Sequence, residues 1–254
     1  MSRILVTGAS RGIGRALVEE LDRRGHEVVA AARNVRDLDG LAAAQRLALD
    51  VTDQASVDAA VSTVGDVDVV VNNAGVTVNA PLEAAPIDVA RTVMETNVLG
   101  PLRMTQAVLP GMRERGQGLI ANISSLGVYS APPLQGLYTA SKAALEKMSE
   151  VLRFETQHFG VKVVVIPLGG VRTEMTTRQK TYSLPAYEPL VAQQAQRYEQ
   201  YRRYGGGDPP EQVAAVIADI LEQDDPPLRA LDAVGAQTVD PAQARRMARQ
   251  GLDW

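Results

Sequence analysis

Ile4-Leu5-Val6-Thr7, Val28-Val29-Ala30-Ala31-Ala32 and Val69-Val70-Val71 are apolar or small on consecutive positions, not on alternate ones. A strand with that pattern is buried on both faces, as happens in a parallel sheet covered by helices. Leu119–Ile123 and Val161–Ile166 read the same way, Val67 opens the third of these runs, and Arg46–Leu49 is a weaker candidate. Helical spacing fills the intervals. Ala16, Leu17 and Leu21 fall on one face of a stretch from Arg15 to Arg24 that Gly25 stops. Further helices are predicted over 53–64, 86–112, 138–159 and 208–223, with a last one from 240 to Gly251. Strands alternating with helices make βαβ units, whose crossovers are right-handed. The predicted fold is therefore α/β: a single-domain Rossmann-type, doubly wound parallel sheet with helices on both faces. Its ligand belongs at the carboxyl ends of the strands.

The chain of 254 residues shows no repeat and no convincing internal boundary, so residues 1–254 read as one domain. Its net charge of −4 argues against a nucleic-acid binder. It has no cysteine, and His26 and His158 are its histidines, which excludes disulfide, thiol and Cys- or His-rich metal chemistry. No apolar run is long enough for a membrane span or a signal-peptide core, so a cytoplasmic protein without a membrane partner is expected.

The first strand candidate runs into Thr7-Gly8-Ala9-Ser10-Arg11-Gly12-Ile13-Gly14, immediately ahead of a helix. Glycines there allow a sharp turn and bring backbone N–H groups close to a pyrophosphate at the helix N-terminus. Glycine spacing alone also fits a simple tight turn; strand before and helix after favour a dinucleotide. At the end of the second strand, Ala31-Ala32-Arg33-Asn34 offers no carboxylate for a ribose 2′-hydroxyl. Arg33, joined by Arg11, supplies instead the donor forks that a 2′-phosphate requires. The expected cofactor is NADP(H).

Tyr138 and Lys142 lie four apart and share a helix face, among the small residues Ala140, Ser141, Ala143 and Ala144. A tyrosine near its reference pKa of about 10 is a poor base at neutral pH, and a neighbouring ammonium favours the phenolate. Such a pair exchanges a proton with a carbonyl or an alcohol. The spacing alone means little. Here it stands thirteen residues after Ser125, with Asn72-Asn73-Ala74-Gly75 after the fourth strand and Asn97 within the 86–112 helix.

Together these residues resemble the short-chain dehydrogenase/reductase family, over about residues 3–230. The resemblance implies that Tyr138 is the general acid/base, that Ser125 hydrogen-bonds the substrate oxygen, and that Lys142 holds the nicotinamide ribose and lowers the tyrosine pKa. It implies that Asn97 holds a water of a proton relay and that Asp50-Val51 meets the adenine. Asn73, Ala74 and Gly75 would support the sheet and line the cofactor, and Val171 and Thr173 would contact the nicotinamide. One departure stands out: aligned on Gly169 to Thr173, Leu168 occupies the place of the family's proline, with Pro167 one position early. Ser124 is expected to serve capping or local turn bonding, not chemistry.

The stretch 174–207 breaks the rhythm of the fold. It carries Tyr182, Tyr187, Tyr198, Tyr201 and Tyr204 and ends in Gly205-Gly206-Gly207, and it reads as a mobile substrate lid with a helical part. Its tyrosines either stack on a ring system or pack the lid to the body. Leu126, Gly127, Tyr129, Pro132 and Pro133 complete the expected pocket. Pro226-Pro227-Leu228-Arg229 resembles the C-terminal segment of steroid- and retinoid-dehydrogenase-like bacterial members, a hint of a bulky apolar or cyclic substrate. Arg245, Arg246 and Arg249 of the tail (240–254) read as a solvated face. The implied reaction is hydride transfer between NADPH and a ketone or aldehyde, by a homo-dimer or homo-tetramer joined through the 86–112 and 138–159 helices. A regulatory NADP(H)-binding protein and an epimerase or dehydratase are the alternatives.

Overall fold

The computed structural model describes residues 1–177, 180–203 and 205–230. The expected 240–251 helix, its Arg245, Arg246 and Arg249, and Tyr204 of the lid lie outside them.

Six parallel strands form one sheet: β1 (Arg3–Thr7), β2 (Glu27–Ala32), β3 (Gln45–Ala48), β4 (Val69–Asn72), β5 (Gly118–Ser125) and β6 (Val161–Leu168). Their spatial order is β3-β2-β1-β4-β5-β6, so the chain reverses direction across the sheet between β1 and β4. That reversal opens the crevice where an open α/β sheet binds its ligand. The consecutive apolar runs do what their pattern requires. Ile4, Val6, Val28, Ala30, Val69 and Val71 point into one core layer; Leu5, Val29, Ala31 and Val70 point into the other.

The first layer is closed by α1 (Gly12–Arg23), through Leu17, Val18 and Leu21. The second is closed by α2 (Gln54–Val64), whose first turn is capped by the Asp53 carboxylate accepting from Ala55 N–H. The predicted 86–112 helix is three pieces: α3 (Ile87–Met94), a π-helical turn (Glu95–Leu99) and α4 (Gly100–Arg115). Pro101 enters in the first turn of α4, where its missing N–H costs nothing, and Gly116 ends it in a left-handed conformation. Asn97 thus sits on a π-turn, a local widening that re-aims a side chain.

After β5 come a short α5 (Gly127–Ser130) and the long α6 (Gly136–Thr156). The lid stretch holds α7 (Glu174–Thr177), a 3-10 turn (Pro185–Tyr187) and α8 (Glu188–Arg203). The helix expected over 208–223 is α9 (Pro210–Leu221), which packs Val213, Ala214 and Ile217 into the first core layer beside α1. Asp208 stays outside it, because its backbone is engaged with Gly170 and Arg172. The Pro226–Arg229 segment lies along β6: Val165 N–H donates to the Leu228 carbonyl at 2.7 Å and Ala230 N–H to the Val165 carbonyl at 3.0 Å. Among the described residues no helix is long and apolar enough to cross a membrane, and no group of three His, Asp or Glu is arranged to hold a metal ion.

Candidate active site

The glycine loop is built around contacts that exclude side chains. Gly8 has φ +66° and lies so close to the next loop that a Cβ would stand 2.8 Å from the Ala74 Cα. A methyl on Gly14 would overlap the Gly8 carbonyl oxygen and the Asn73 amide. Asn73 locks this arrangement: its Nδ2 donates to the carbonyls of Thr7 at 2.9 Å and Gly8 at 3.2 Å. Thr7, which the sequence reading passed over, accepts from the N–H groups of Asn73 and Ala74, both at 3.1 Å. No side chain caps the N-terminus of α1, so the first N–H groups of the helix remain available to an anion. Ile13 turns inward onto the core, and Thr173 sets its methyl against Gly12, where a Cβ would meet it at 3.2 Å.

Gly14→Ala is therefore expected to disturb both the loop and the fold. Overpacking of a tight site costs about 1–3 kcal/mol. Affinity for a dinucleotide should fall at least tenfold, as a fluorescence titration would read it, with a lowered thermal midpoint.

Arg33 is exposed at the end of β2. Arg11 is exposed as well and pairs loosely with Glu174 at 3.7 Å. Asp50 lies near the same strand ends. Burial pushes its carboxyl up, but the Thr52 backbone N–H at 2.9 Å and hydroxyl at 2.7 Å donate to it, and Arg33 and Arg103 attract it. The net direction is down, so Asp50 is an anion. Val51 is buried.

The second half of the site lies where β5 meets α6. Ser125 ends β5, and its Oγ accepts from Gly127 N–H at 3.1 Å. The Tyr138 hydroxyl is pushed up chiefly by burial, against which a hydrogen bond with Ser125 pulls it down; Tyr198 pushes it up slightly. Lys142 is 4% exposed and donates to the Ile123 carbonyl at 2.8 Å. Its ammonium stands 6.0 Å from the centroid of the Tyr138 ring. Burial lowers Lys142 itself to about 8, with Glu146 acting in the opposite direction.

Asn97 is fully buried. Its amide exchanges two hydrogen bonds of 2.9 Å with the backbone of Val76 and donates a third, also 2.9 Å, to the Ser141 hydroxyl. The π-turn is thereby fixed to both the Gly75 loop and α6. The Asn97 Oδ1 and the Lys142 Nζ both approach Gly75, at 3.4 Å and 3.8 Å from where a Cβ would stand.

Around these groups the pocket residues divide. Gly127 lies between the Ser125 hydroxyl and Pro132: a Cβ placed on it would stand 3.2 Å from Ser125 Oγ and 3.8 Å from Pro132 Cγ. Ala131 and Leu134, the two residues that flank Pro132 and Pro133, hold positive φ of 46° and 66°, a local strain of the kind found at ligand sites. Tyr129, a residue of the expected pocket, donates its hydroxyl to Glu146 at 2.7 Å. Ser124, read as a capping or turn-bonding residue, donates its hydroxyl to Glu146, 22 residues away, at 2.6 Å.

The lid tyrosines also separate. The Tyr187 hydroxyl donates to Glu83 at 2.6 Å, and Tyr201 rests on Gly170 and Gly207. Residues 180–182 pair with Asn79 through two backbone bonds of 3.1 Å and 2.9 Å. Tyr198 turns toward the site, where the Gln135 amide donates to its hydroxyl at 3.1 Å. Leu168 is buried at the end of β6, and its carbonyl accepts from Leu126 N–H at 2.9 Å. The residue in place of the family's proline therefore anchors the turn that follows Ser125.

The sequence model of the short chain dehydrogenase family matches residues 2–183. A 3-ketodihydrosphingosine reductase of Bacteroides thetaiotaomicron is 34% identical over 234 residues, covering 89% of this chain and 86% of that protein. The crystal structure of a short-chain dehydrogenase from Streptomyces avermitilis is 36% identical, with a TM-score of 0.83 over 98% of this chain and 93% of that one. A short chain dehydrogenase from Burkholderia cenocepacia in complex with NADP is 28% identical, with a TM-score of 0.77 over 98% of this chain and 94% of that one.

Proposed function

Because the chain belongs to the short-chain dehydrogenase/reductase family, we propose that it is an NADP(H)-dependent carbonyl reductase or alcohol dehydrogenase. Its substrate is a ketone or aldehyde, bulky and apolar or cyclic. The observation that carries this reading is the placement of Ser125 at the end of β5 next to Tyr138 at the head of α6, with the Lys142 ammonium 6.0 Å from the centroid of the Tyr138 ring.

The residues present fit a dinucleotide. The cradle of Gly8 and Gly14 leaves no room for side chains, and no side chain caps the N-terminus of α1, which leaves its N–H groups open to an anion. Gly8, Ser10, Arg11, Gly12, Ile13 and Gly14 would hold the pyrophosphate segment, Arg33 with Arg11 the 2′-phosphate, and Asp50 with Val51 the adenine. Asn73, Ala74, Gly75, Val171 and Thr173, with Tyr138 and Lys142, would complete the nicotinamide end. When bound, the nicotinamide supplies a hydride donor or acceptor. The choice of NADP(H) over NAD(H) rests on Arg33 and Arg11 and on the lack of a carboxylate at the end of β2.

In carbonyl reduction, Ser125 donates a hydrogen bond to the substrate oxygen as it gains charge, and Tyr138 delivers the proton. Burial keeps the Tyr138 phenol protonated and ready to act as the acid. Lys142 contributes as an ammonium. Its pKa of about 8 means that this charge is present below about pH 8 and lost above it. The reduction rate should therefore show an alkaline limb near pH 8, measured as kcat across pH 6–10. A profile flat through that range would remove Lys142 from the mechanism.

Leu126, Gly127, Pro132 and Pro133, with the 174–207 lid and its Tyr198, line the substrate side. The relative whose name states a keto substrate supports a ketone. α4 and α6 would join two copies; Leu102, Met148 and Val151 line an apolar groove between them. Loss of nicotinamide absorbance with a panel of ketones, aldehydes and polycyclic quinones tests the activity. Turnover with NADPH supports it, and tight NADPH binding with no turnover across the panel would favour a regulatory protein.

A further inference from the structure

Tyr138, Lys142 and Glu146 occupy positions i, i+4 and i+8 of α6 and make one stripe along the helix. The chemistry proposed above uses the first two. Glu146 is 3% exposed, and its two oxygens are fully engaged. Oε1 accepts from the Ser124 hydroxyl at 2.6 Å; Oε2 accepts from the Tyr129 hydroxyl at 2.7 Å and from Arg229 Nε at 3.1 Å. The donors come from three separate segments: the end of β5, the α5 turn and the strip alongside β6. Arg229 also pairs with Glu150, one turn further along α6.

Stability alone gives a poor account of this cluster. A buried ion pair exchanged for apolar residues of similar volume is often neutral or stabilising. What an apolar residue would lose is position and charge. Ser124 and Tyr129 bracket Ser125 and the turn that follows it, and both are gripped by one carboxylate. That carboxylate also stands one turn beyond Lys142.

We infer that Glu146, with Arg229 as its counter-ion, is a positioning residue for the reaction: it fixes the Ser125 hydroxyl opposite Tyr138 and supplies the anion next to Lys142. The inference rests on the carbonyl-reductase reading. The surroundings of Lys142 leave Glu146 that electrostatic role. β5 presents the neutral Ile123 carbonyl, and the approach from the other side is by Gly75 and Asn97, also neutral. Tyr138 and Glu146 are the titratable neighbours on its own helix, and burial lowers Lys142 while Glu146 raises it. Around Glu146 stand Tyr129, Lys142, Glu150 and Arg229. The Tyr129 phenol, pushed up to about 12 by burial and by Glu146, stays a donor at neutral pH.

Glu146→Gln keeps the shape and removes the charge. The Lys142 titration and the alkaline limb of kcat should both move down by about one pH unit, the size of one charge at close range. At pH 8 that corresponds to a kcat about fivefold lower. The chain's lysines are Lys142, Lys147, Lys162 and Lys180, so 15N-lysine NMR with a Lys142→Met assignment variant reads the titration directly. That reading does not need turnover, so an inactive wild-type protein would overturn the reductase reading without blurring this test.

A second variant, Ser124→Ala with Tyr129→Phe, leaves the carboxylate and Arg229 in place. Its kcat should fall about tenfold, the order expected of a slightly misplaced catalytic group, with the limb unmoved. If Glu146→Gln shifts neither the limb nor the NMR titration, or if the double variant turns over like wild type, Glu146 is a structural tie and the inference fails.

Discussion

Tyr138→Phe should lower kcat for carbonyl reduction by about 10³-fold, within the 10²–10⁴ that a positioned general acid contributes. In barrier terms that is about 4 kcal/mol. The substitution removes one oxygen and leaves the ring. The half-buried side chain keeps its packing, so the thermal midpoint and the NADPH affinity should change little. Ser125 loses a neighbouring hydroxyl but keeps the Gly127 N–H on its oxygen, at 3.1 Å. It should go on binding the substrate carbonyl, so KM should rise less than kcat falls. Steady-state kinetics beside a melting curve check both halves. A variant retaining a tenth or more of wild-type turnover would mean that another group supplies the proton.

The second large effect concerns coenzyme choice. Arg33→Asp replaces a guanidinium at the end of β2 with a carboxylate, the group that accepts from a ribose 2′-hydroxyl in NAD-preferring sites. A charge-assisted hydrogen bond contributes about 1.5–3 kcal/mol, so its loss weakens NADPH by roughly 10–100-fold. Repulsion between the new carboxylate and the 2′-phosphate adds to this, and Asp50, which Arg33 now attracts, adds a second negative charge nearby. The ratio of kcat/KM for NADPH over NADH should fall at least about 100-fold, with kcat at saturating coenzyme nearly unchanged. Arg33→Ser separates loss of attraction from repulsion and should fall between the two. An unchanged ratio would make Arg33 a solvated side chain and leave the NADP(H) assignment without its main support.

Much of this architecture is written in residue order, because the strands are apolar at consecutive positions and the helices at helical ones. Val69, Val70 and Val71 leave no alternative to burial on both faces, and the sheet places them so. The π-turn at Asn97 was not legible. One extra residue in a helical turn leaves the periodicity of 86–112 almost intact, and only the hydrogen bonds to Val76 and Ser141 show why the widening is there. Glu146 was legible in principle, since it continues the stripe of Tyr138 and Lys142 by one turn. What hid it was the identity of its partners: Ser124, Tyr129 and Arg229 converge only once the strip after α9 lies along β6. The lid tyrosines illustrate the same limit. Five similar residues in one stretch give no sign of which ones tie the stretch down and which one faces Tyr138.

The most direct test of the central claim follows the hydrogen itself. NADPH carrying deuterium at the transferable position of nicotinamide C4 is incubated with the protein and a ketone that it turns over, and the alcohol is examined by mass spectrometry and NMR. One deuterium on the carbinol carbon in wild type, together with loss of product in Tyr138→Phe, is the predicted result. Alcohol formed without deuterium on that carbon, or formed equally well by the Tyr138→Phe protein, would contradict the account.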